Sequence, residues 1–316
     1  MLSRTADSLY WLARYMERAE NIARIIMVGH RMASMARTLE NPGNEWHSTL
    51  LAAGCLEGFV EKHGEDEATA ATVIDYLVRD PDNSSSIFAC LETARRNARA
   101  VRTALTVDMW DALNETWLRA RSGDGAIFAP EKLTELLEWV KERSLLFNGA
   151  YANTMLRNDA YYFTRLGTFV ERADNTARIL DVKYHVLLPR HEGVGGALDY
   201  YHWQSILRSV SALRSYHWVY QDRLKPWLVA ELLILRPEMP RSLLRCYDEI
   251  IRQLGLLADS YGGKRGECHR IAGELHSRLR YGRIQDIFQS GLHEFLTDFV
   301  ERSATLGQEI TTFYLM

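Results

Sequence analysis

The residues of this chain whose types and spacing could do chemistry are Glu17, Asn21 and Arg24, which return as Glu171, Asn175 and Arg178. Steps of four and three stack each set on one face of a helix. A carboxylate, an amide and a guanidinium so aligned admit two uses. In one, they form an ion-pair network that fixes how two helices dock. In the other, they line a site for a ligand or partner, with the carboxylate as acid or base and the guanidinium gripping an acidic group. Glu20 with Arg24, and Asp174 with Arg178, add acid-before-base pairs at i, i+4. Arg18 and Arg172 fall at the edge of an apolar face, where the stem buries and the head needs a carboxylate.

A second constellation is Arg95, Arg99 and Arg102, with Asn97 nearby, on a helix expected over Ser84–Leu105. Three like charges on one face repel unless something anionic sits opposite. Glu17 and Glu171 could be that partner, and so could a phosphate or carboxylate of a ligand or partner protein. On the following helix Asp108, Asp111 and Glu115 share a face. They could hold a divalent ion, but a solvated face is the plainer reading, and no metal site is expected. There is no E-x-x-H, so a di-iron bundle of the ferritin type is disfavoured. Phosphate-loop, nucleophile-elbow and zinc-protease signatures are missing too. Gly193, Gly195 and Gly196 follow a helix rather than a strand, so they are no dinucleotide loop. His269 and His276 share a helix face, a weak metal signal, while His202 and His217 lie among aromatic residues and read as core or interface. No cofactor is expected.

The element that positions the first set is Leu9–Val28. Leu9, Leu12, Met16, Ala19, Ala23 and Ile26 alternate steps of three and four, and Trp11, Tyr15, Ile22 and Ile25 widen that face. More than half the circumference is apolar, as in a helix buried between several others. The stretch returns 154 residues later as Phe163–Val182, with nine of twenty positions identical, polar ones included. A weaker third copy, FVERSATLGQEI, keeps Glu301 and Arg302 but not the Asn or the second Arg. The duplication extends further. Trp46 and Trp203 each open a helix, and breaks at Pro81 and Pro237 precede helices carrying Cys90 and Cys246, at an offset of 156.

Other helices are expected over about Glu45–Lys62, Glu67–Val78, Asp108–Arg121, Glu131–Met155, Asp159–Leu188, Asp199–Asp222, Pro226–Leu235, Arg241–Asp259, Glu267–Arg280 and Ile284–Phe313. Asn41–Asn44, Ser122–Pro130 and Glu192–Gly196 read as loops, Pro189 as a stop, and Ser84–Ser86 as N-caps. No stretch alternates long enough to argue for a sheet. The expected fold is all-α: a helical bundle built from two duplicated halves with pseudo-two-fold symmetry. They form a single domain over 1–316, with halves at about 1–125 and 158–282 and a C-terminal helix at about 284–313.

A hydrophobic fraction of 47% and a charged fraction of 25% are ordinary for a globular protein. The net charge of -3 gives no reason to expect nucleic acid or an anionic membrane as partner. No apolar run is long enough to span a bilayer, and the N-terminus lacks a signal-peptide order. Cys55, Cys90, Cys246 and Cys268 have no metal or disulfide spacing and read as buried thiols in a reducing cytoplasm. Of the 38 basic residues only 6 are Lys. That bias fits a GC-rich genome, or a need for planar forks that meet carboxylate or phosphate.

The segments ADSLYWLARYMERAENIARI, VERADNTARI and ARRNAR…RTALTVDMWDALN resemble the alpha-E proteins, a bacterial α-helical family named for its Glu-Arg motif. The resemblance covers essentially the whole chain; it departs where the third copy degenerates and where Thr168 replaces the basic Arg14. It implies a genomic association rather than a reaction. Such proteins are typically encoded beside, or fused to, a circularly permuted ATP-grasp protein, with transglutaminase-like proteins and a proteasome-related hydrolase nearby. ATP-grasp enzymes join a carboxylate to an amine through an acyl phosphate. The implied role is a helical partner or subunit of an amide-forming, peptide-related system, docking on the ATP-grasp protein and presenting or binding its substrate, an acidic small molecule or peptide. The alternative is an enzyme in its own right, with Glu17 or Glu171 as acid/base.

Overall fold

The computed structural model describes residues 1–38, 45–122, 130–185 and 197–315. Among them the chain is all-helical. In order the helices are α1 Ser3–Thr38, α2 Glu45–Ala53, α3 Leu56–His63, α4 Ala70–Val78, α5 Ile87–Ala100, α6 Val107–Arg121 and α7 Leu133–Thr154. Then follow α8 Asp159–His185, α9 Ala197–Ser209, α10 Leu213–Tyr220, α11 Pro226–Ile234, α12 Leu243–Ser260, α13 Glu267–Tyr281, α14 Ile284–Ser290 and α15 Leu292–Ile310. A π-helical turn, Thr311–Leu315, ends the described chain. The expected loops Asn41–Asn44 and Glu192–Gly196, the stop at Pro189 and most of Ser122–Pro130 lie outside the described residues.

The centre is α1 against α8. Every apolar position of the Leu9–Ile26 face is buried apart from Trp11 and Tyr15, which pack partly exposed against the core. Each buried Leu, Ile or Met side chain among them contributes about 1.5–3 kcal/mol by leaving water. The two helices run side by side in the same direction. The Met1 ammonium meets Asp159 at 3.1 Å at one end, Tyr10 lies against Gly167, and Asn21 meets Glu171 further along. Gly167 is what lets them approach: a Cβ there would stand 2.3 Å from the Tyr10 carbonyl oxygen and 3.3 Å from the Ala13 Cβ. Helix α5 packs along α1 and α12 along α8, with α7 against α1. Helix α15 returns antiparallel to α8, with His293 on Asp181 at 2.7 Å near one end and Tyr314, just beyond α15, edge-on to Phe163 at 5.7 Å near the other.

Local chemistry explains the ends. Ser86, Thr106 and Ser242 each accept the backbone N–H three residues on and so cap α5, α6 and α12. Thr69 and Thr72 form a reciprocal box at the start of α4. Three expected helices are split. Glu45–Lys62 breaks at Gly54, whose φ of +68° is left-handed. Asp199–Asp222 breaks after Ser209, with Ser211 at φ +59°. Ile284–Phe313 breaks at Gly291. Ser84–Leu105 stops as α-helix at Ala100, and Glu67–Val78 becomes α-helical only from Ala70. Short interruptions of this kind leave the surrounding apolar period intact, so the periodicity does not reveal them.

Candidate functional site

The Glu-Arg faces of α1 and α8 meet each other, and they pair reciprocally. The Arg172 fork donates from Nε and Nη2 to the two Glu17 oxygens at 2.9 and 2.8 Å. The Arg18 fork does the same to Glu171, from Nε at 2.6 Å and from Nη2 at 3.1 Å. Both are bidentate, the strongest geometry for this pair of groups. Each carboxylate also takes a second guanidinium. Arg14 Nε donates to Glu171 at 2.7 Å, and Arg241 Nη1 lies 3.1 Å from Glu17.

Glu20 is the most enclosed acid, with 0% exposure. Arg24 donates to it from Nε and Nη2 at 2.8 and 2.6 Å, Ser144 Oγ on α7 at 2.6 Å, and Arg241 Nη2 as well. Arg24 spends its remaining Nη1 on the Ser209 carbonyl. On α8 the matching acid Asp174 accepts from Arg178 Nε at 2.7 Å. Asn21 Nδ2 donates to the Glu171 carbonyl at 3.4 Å.

The electrostatics follow from burial and these partners. Desolvation would raise the Glu171 carboxyl, but the Arg18 and Arg14 charges outweigh it and hold it at about 2. For Glu20, burial is likewise outweighed, by Arg241 and Arg24, and the carboxyl is held below its ordinary range. Arg24 moves the other way: burial and the like charge of Arg241 pull its guanidinium down. The Cys90 and Cys246 thiols are pushed up to about 12 by burial, which removes them as nucleophiles.

The structure gathers Glu17, Arg18, Asn21, Arg24, Glu171, Arg172, Asp174, Asn175 and Arg178 at one junction, and leaves the second constellation out. Arg95 donates to Asn114 at 3.2 Å, Arg102 lies over the Trp110 ring at 4.6 Å, and Arg99 is exposed. Asn97 is half-buried on α5. The partners of Glu17 and Glu171 are instead Arg172, Arg241, Arg18 and Arg14, so the expected pairing with the Arg95–Arg99–Arg102 stripe is corrected. It fails because α5 packs on α1 by another face, burying Ile87, Cys90, Leu91, Ala94 and Ala98.

Asp108, Asp111 and Glu115 stand exposed on α6, and among the described residues no cluster of three or more His, Cys, Asp or Glu could hold a metal. Glu301 is exposed on α15, where Arg302 pairs with Glu274. His202 is buried, and that burial lowers its imidazole to about 4, whereas His217 is exposed rather than in the core. Sequence reasoning paired Glu20 with Arg24, as the structure has them, but missed Arg14, Ser144 and Arg241 as members of the junction; Arg241 and Ser144 come from distant helices with no motif to mark them.

The family model described as "a predicted alpha-helical domain with a conserved ER motif" matches residues 1–315. An uncharacterised protein of Mycobacterium bovis is 24% identical over 317 residues, covering 94% of this chain and 35% of its own length. Two uncharacterised proteins of Mycobacterium tuberculosis match at the same identity and coverage. The chain thus spans about a third of the length of these curated relatives. No solved structure gives a significant match. Among the described residues no helix is long and apolar enough to cross a membrane.

Proposed function

The chain belongs to the Alpha-E family, and from that premise we propose that it is a helical interaction or substrate-presenting module for an ATP-grasp-type, amide-forming protein in the cytoplasm. The observation that carries the module reading is the saturation of the Glu-Arg face. Glu17 and Glu171 each receive two guanidinium groups, and Glu171 is held at about 2. A general acid or base needs an affinity for protons near the working pH and a free approach for its substrate. Glu171 lacks that affinity, and both carboxylates already have their oxygens engaged by guanidinium groups, which tells against the reading of an enzyme with Glu17 or Glu171 as acid/base. The curated relatives support it too, because there the matched region is joined to further chain about twice as long.

In this proposal the chain is one domain of two related halves about a pseudo-two-fold axis running along α1 and α8. The reciprocity of Glu17–Arg172 with Glu171–Arg18, and the N-caps Ser86 and Ser242, support that arrangement. The test is co-purification with the ATP-grasp protein, followed by ATP turnover of each alone and of both. The chain alone is expected to turn over no ATP and to alter turnover by its partner. Failure to co-purify, with turnover unchanged, would overturn the partnership. Hydrolysis by this chain alone, lost in Glu171→Gln, would restore the enzyme.

A further inference from the structure

The two polar faces are not equally filled. Beside Glu17 and Glu20 the space is occupied by Arg241, the residue directly before the α12 cap Ser242. On the opposite face, the residue directly before the α5 cap Ser86 is Ser85. With a hydroxymethyl group there in place of a guanidinium, a polar cavity of about 190 Å³ stands open, lined by Arg18, Asn21, Ser85, Glu171, Asp174, Asn175 and Arg178. Among the other lining groups is Gly54, at the break between α2 and α3.

The hydrogen-bonding capacity in this cavity is divided by sign. Arg178 commits its Nε to Asp174, and Arg18 commits Nε and Nη2 to Glu171. Nη1 of Arg18 and both Nη atoms of Arg178 have no acceptor among the described residues and are suited to a carboxylate. Asn21 and Asn175, 4% and 2% exposed, leave their Oδ1 atoms buried without a donor. Buried acceptors of this kind are costly unless something supplies a proton. The volume corresponds to about six waters, at about 30 Å³ each, or to one small organic molecule.

We propose that this cavity is a binding site for a small amino carboxylate, such as a free α-amino acid, with the carboxylate on Arg178 and Arg18 and the amine on Asp174, whose Oδ1 is not taken by Arg178. The site deepens the substrate-presenting part of the proposed function and rests on that reading for its purpose. Its occupancy is measured on this chain alone, so a failure here leaves the ATP-grasp partnership standing.

The experiment is calorimetric titration of the full chain with glycine and L-alanine into the millimolar range. L-Alaninamide lacks the carboxylate and propionate lacks the amine, so each serves as a control, with inorganic phosphate as a bare anion. At least one amino acid is expected to bind, with both controls at least tenfold weaker. Binding of propionate or phosphate as tight as the amino acids would overturn the proposal in favour of a plain anion site. Absence of binding by both amino acids would overturn it in favour of a water-filled cavity. Ser85→Arg supplies on this face the guanidinium that Arg241 supplies on the other. It is expected to lower amino-acid affinity at least tenfold with the melting temperature unchanged or raised. Wild-type affinity in Ser85→Arg, with the protein folded, would place any observed binding elsewhere and refute the site.

Discussion

Replacing Glu171 by Gln keeps the shape of the side chain and removes its charge, leaving Arg14 and Arg18 facing a neutral amide. The cost can be worked from the carboxyl itself. Its ordinary value of 4.5 falls to about 2 in the folded protein. At about 1.36 kcal/mol per pH unit, neutralising it in the fold costs about 3 kcal/mol more than neutralising it in the unfolded chain. That agrees with the ~3–5 kcal/mol expected when one partner of a buried pair is removed. For a chain of this length the unfolding entropy converts about 3 kcal/mol into a melting-temperature drop of about 5 °C at pH 7. The sign with pH follows. The folded value lies below the unfolded one, so the stabilisation is fully present above about 4.5 and is lost as pH falls toward about 2. The gap between wild type and Glu171→Gln should therefore close on acidification. Thermal melting of both proteins across that range is the assay. A variant that melts with the wild type at neutral pH, or a gap that persists undiminished at the acid end, would refute the reasoning.

The other expectations rest on separate contacts. Arg241→Met removes the bridge between Glu17 and Glu20 and should cost about 3 kcal/mol or more in urea unfolding; a change under about 0.5 kcal/mol would mean that Arg24 and Arg172 suffice. Gly167→Ala drives a Cβ to 2.3 Å from the Tyr10 carbonyl oxygen, against backbone that cannot yield, and should destabilise by about 1–3 kcal/mol or more. Arg99→Ala, on the exposed side of α5, should stay within about 0.5 kcal/mol of wild type by the same measurement. Tyr247→Phe removes the 2.8 Å bond between Tyr247 and Ser303 and should cost about 1 kcal/mol, read from the urea midpoint.

The period of three and four along Leu9–Ile26, and its return at Phe163, make the helical class and the two central elements legible before any coordinates. The meeting of Arg18 and Arg172 with carboxylates was legible as well, because a guanidinium at the rim of an apolar face has few other ways to be satisfied. The stripe at Arg95, Arg99 and Arg102 misled for a related reason: three Arg on one helix face look like half of a pair. A helix's spacing fixes which residues share a face but not which way that face turns, and α5 turns its apolar side to α1. Arg241 was hidden differently. It sits 221 residues from Glu20, at the start of a helix that packs on α8 rather than α1, and only the three-dimensional path carries it there.

That distance along the chain has a consequence for how the protein is made. The acids Glu17 and Glu20 lie on α1, while Arg172 and Arg241 are synthesised more than 150 residues later. Glu20 has Arg24 on its own helix throughout, but until then Glu17 can be enclosed only without the charges of Arg172 and Arg241, which is strongly unfavourable. The junction around Glu17 is therefore a long-range one, completed only when the second Glu-Arg helix and Arg241 are in place, and such contacts are the slow ones to form.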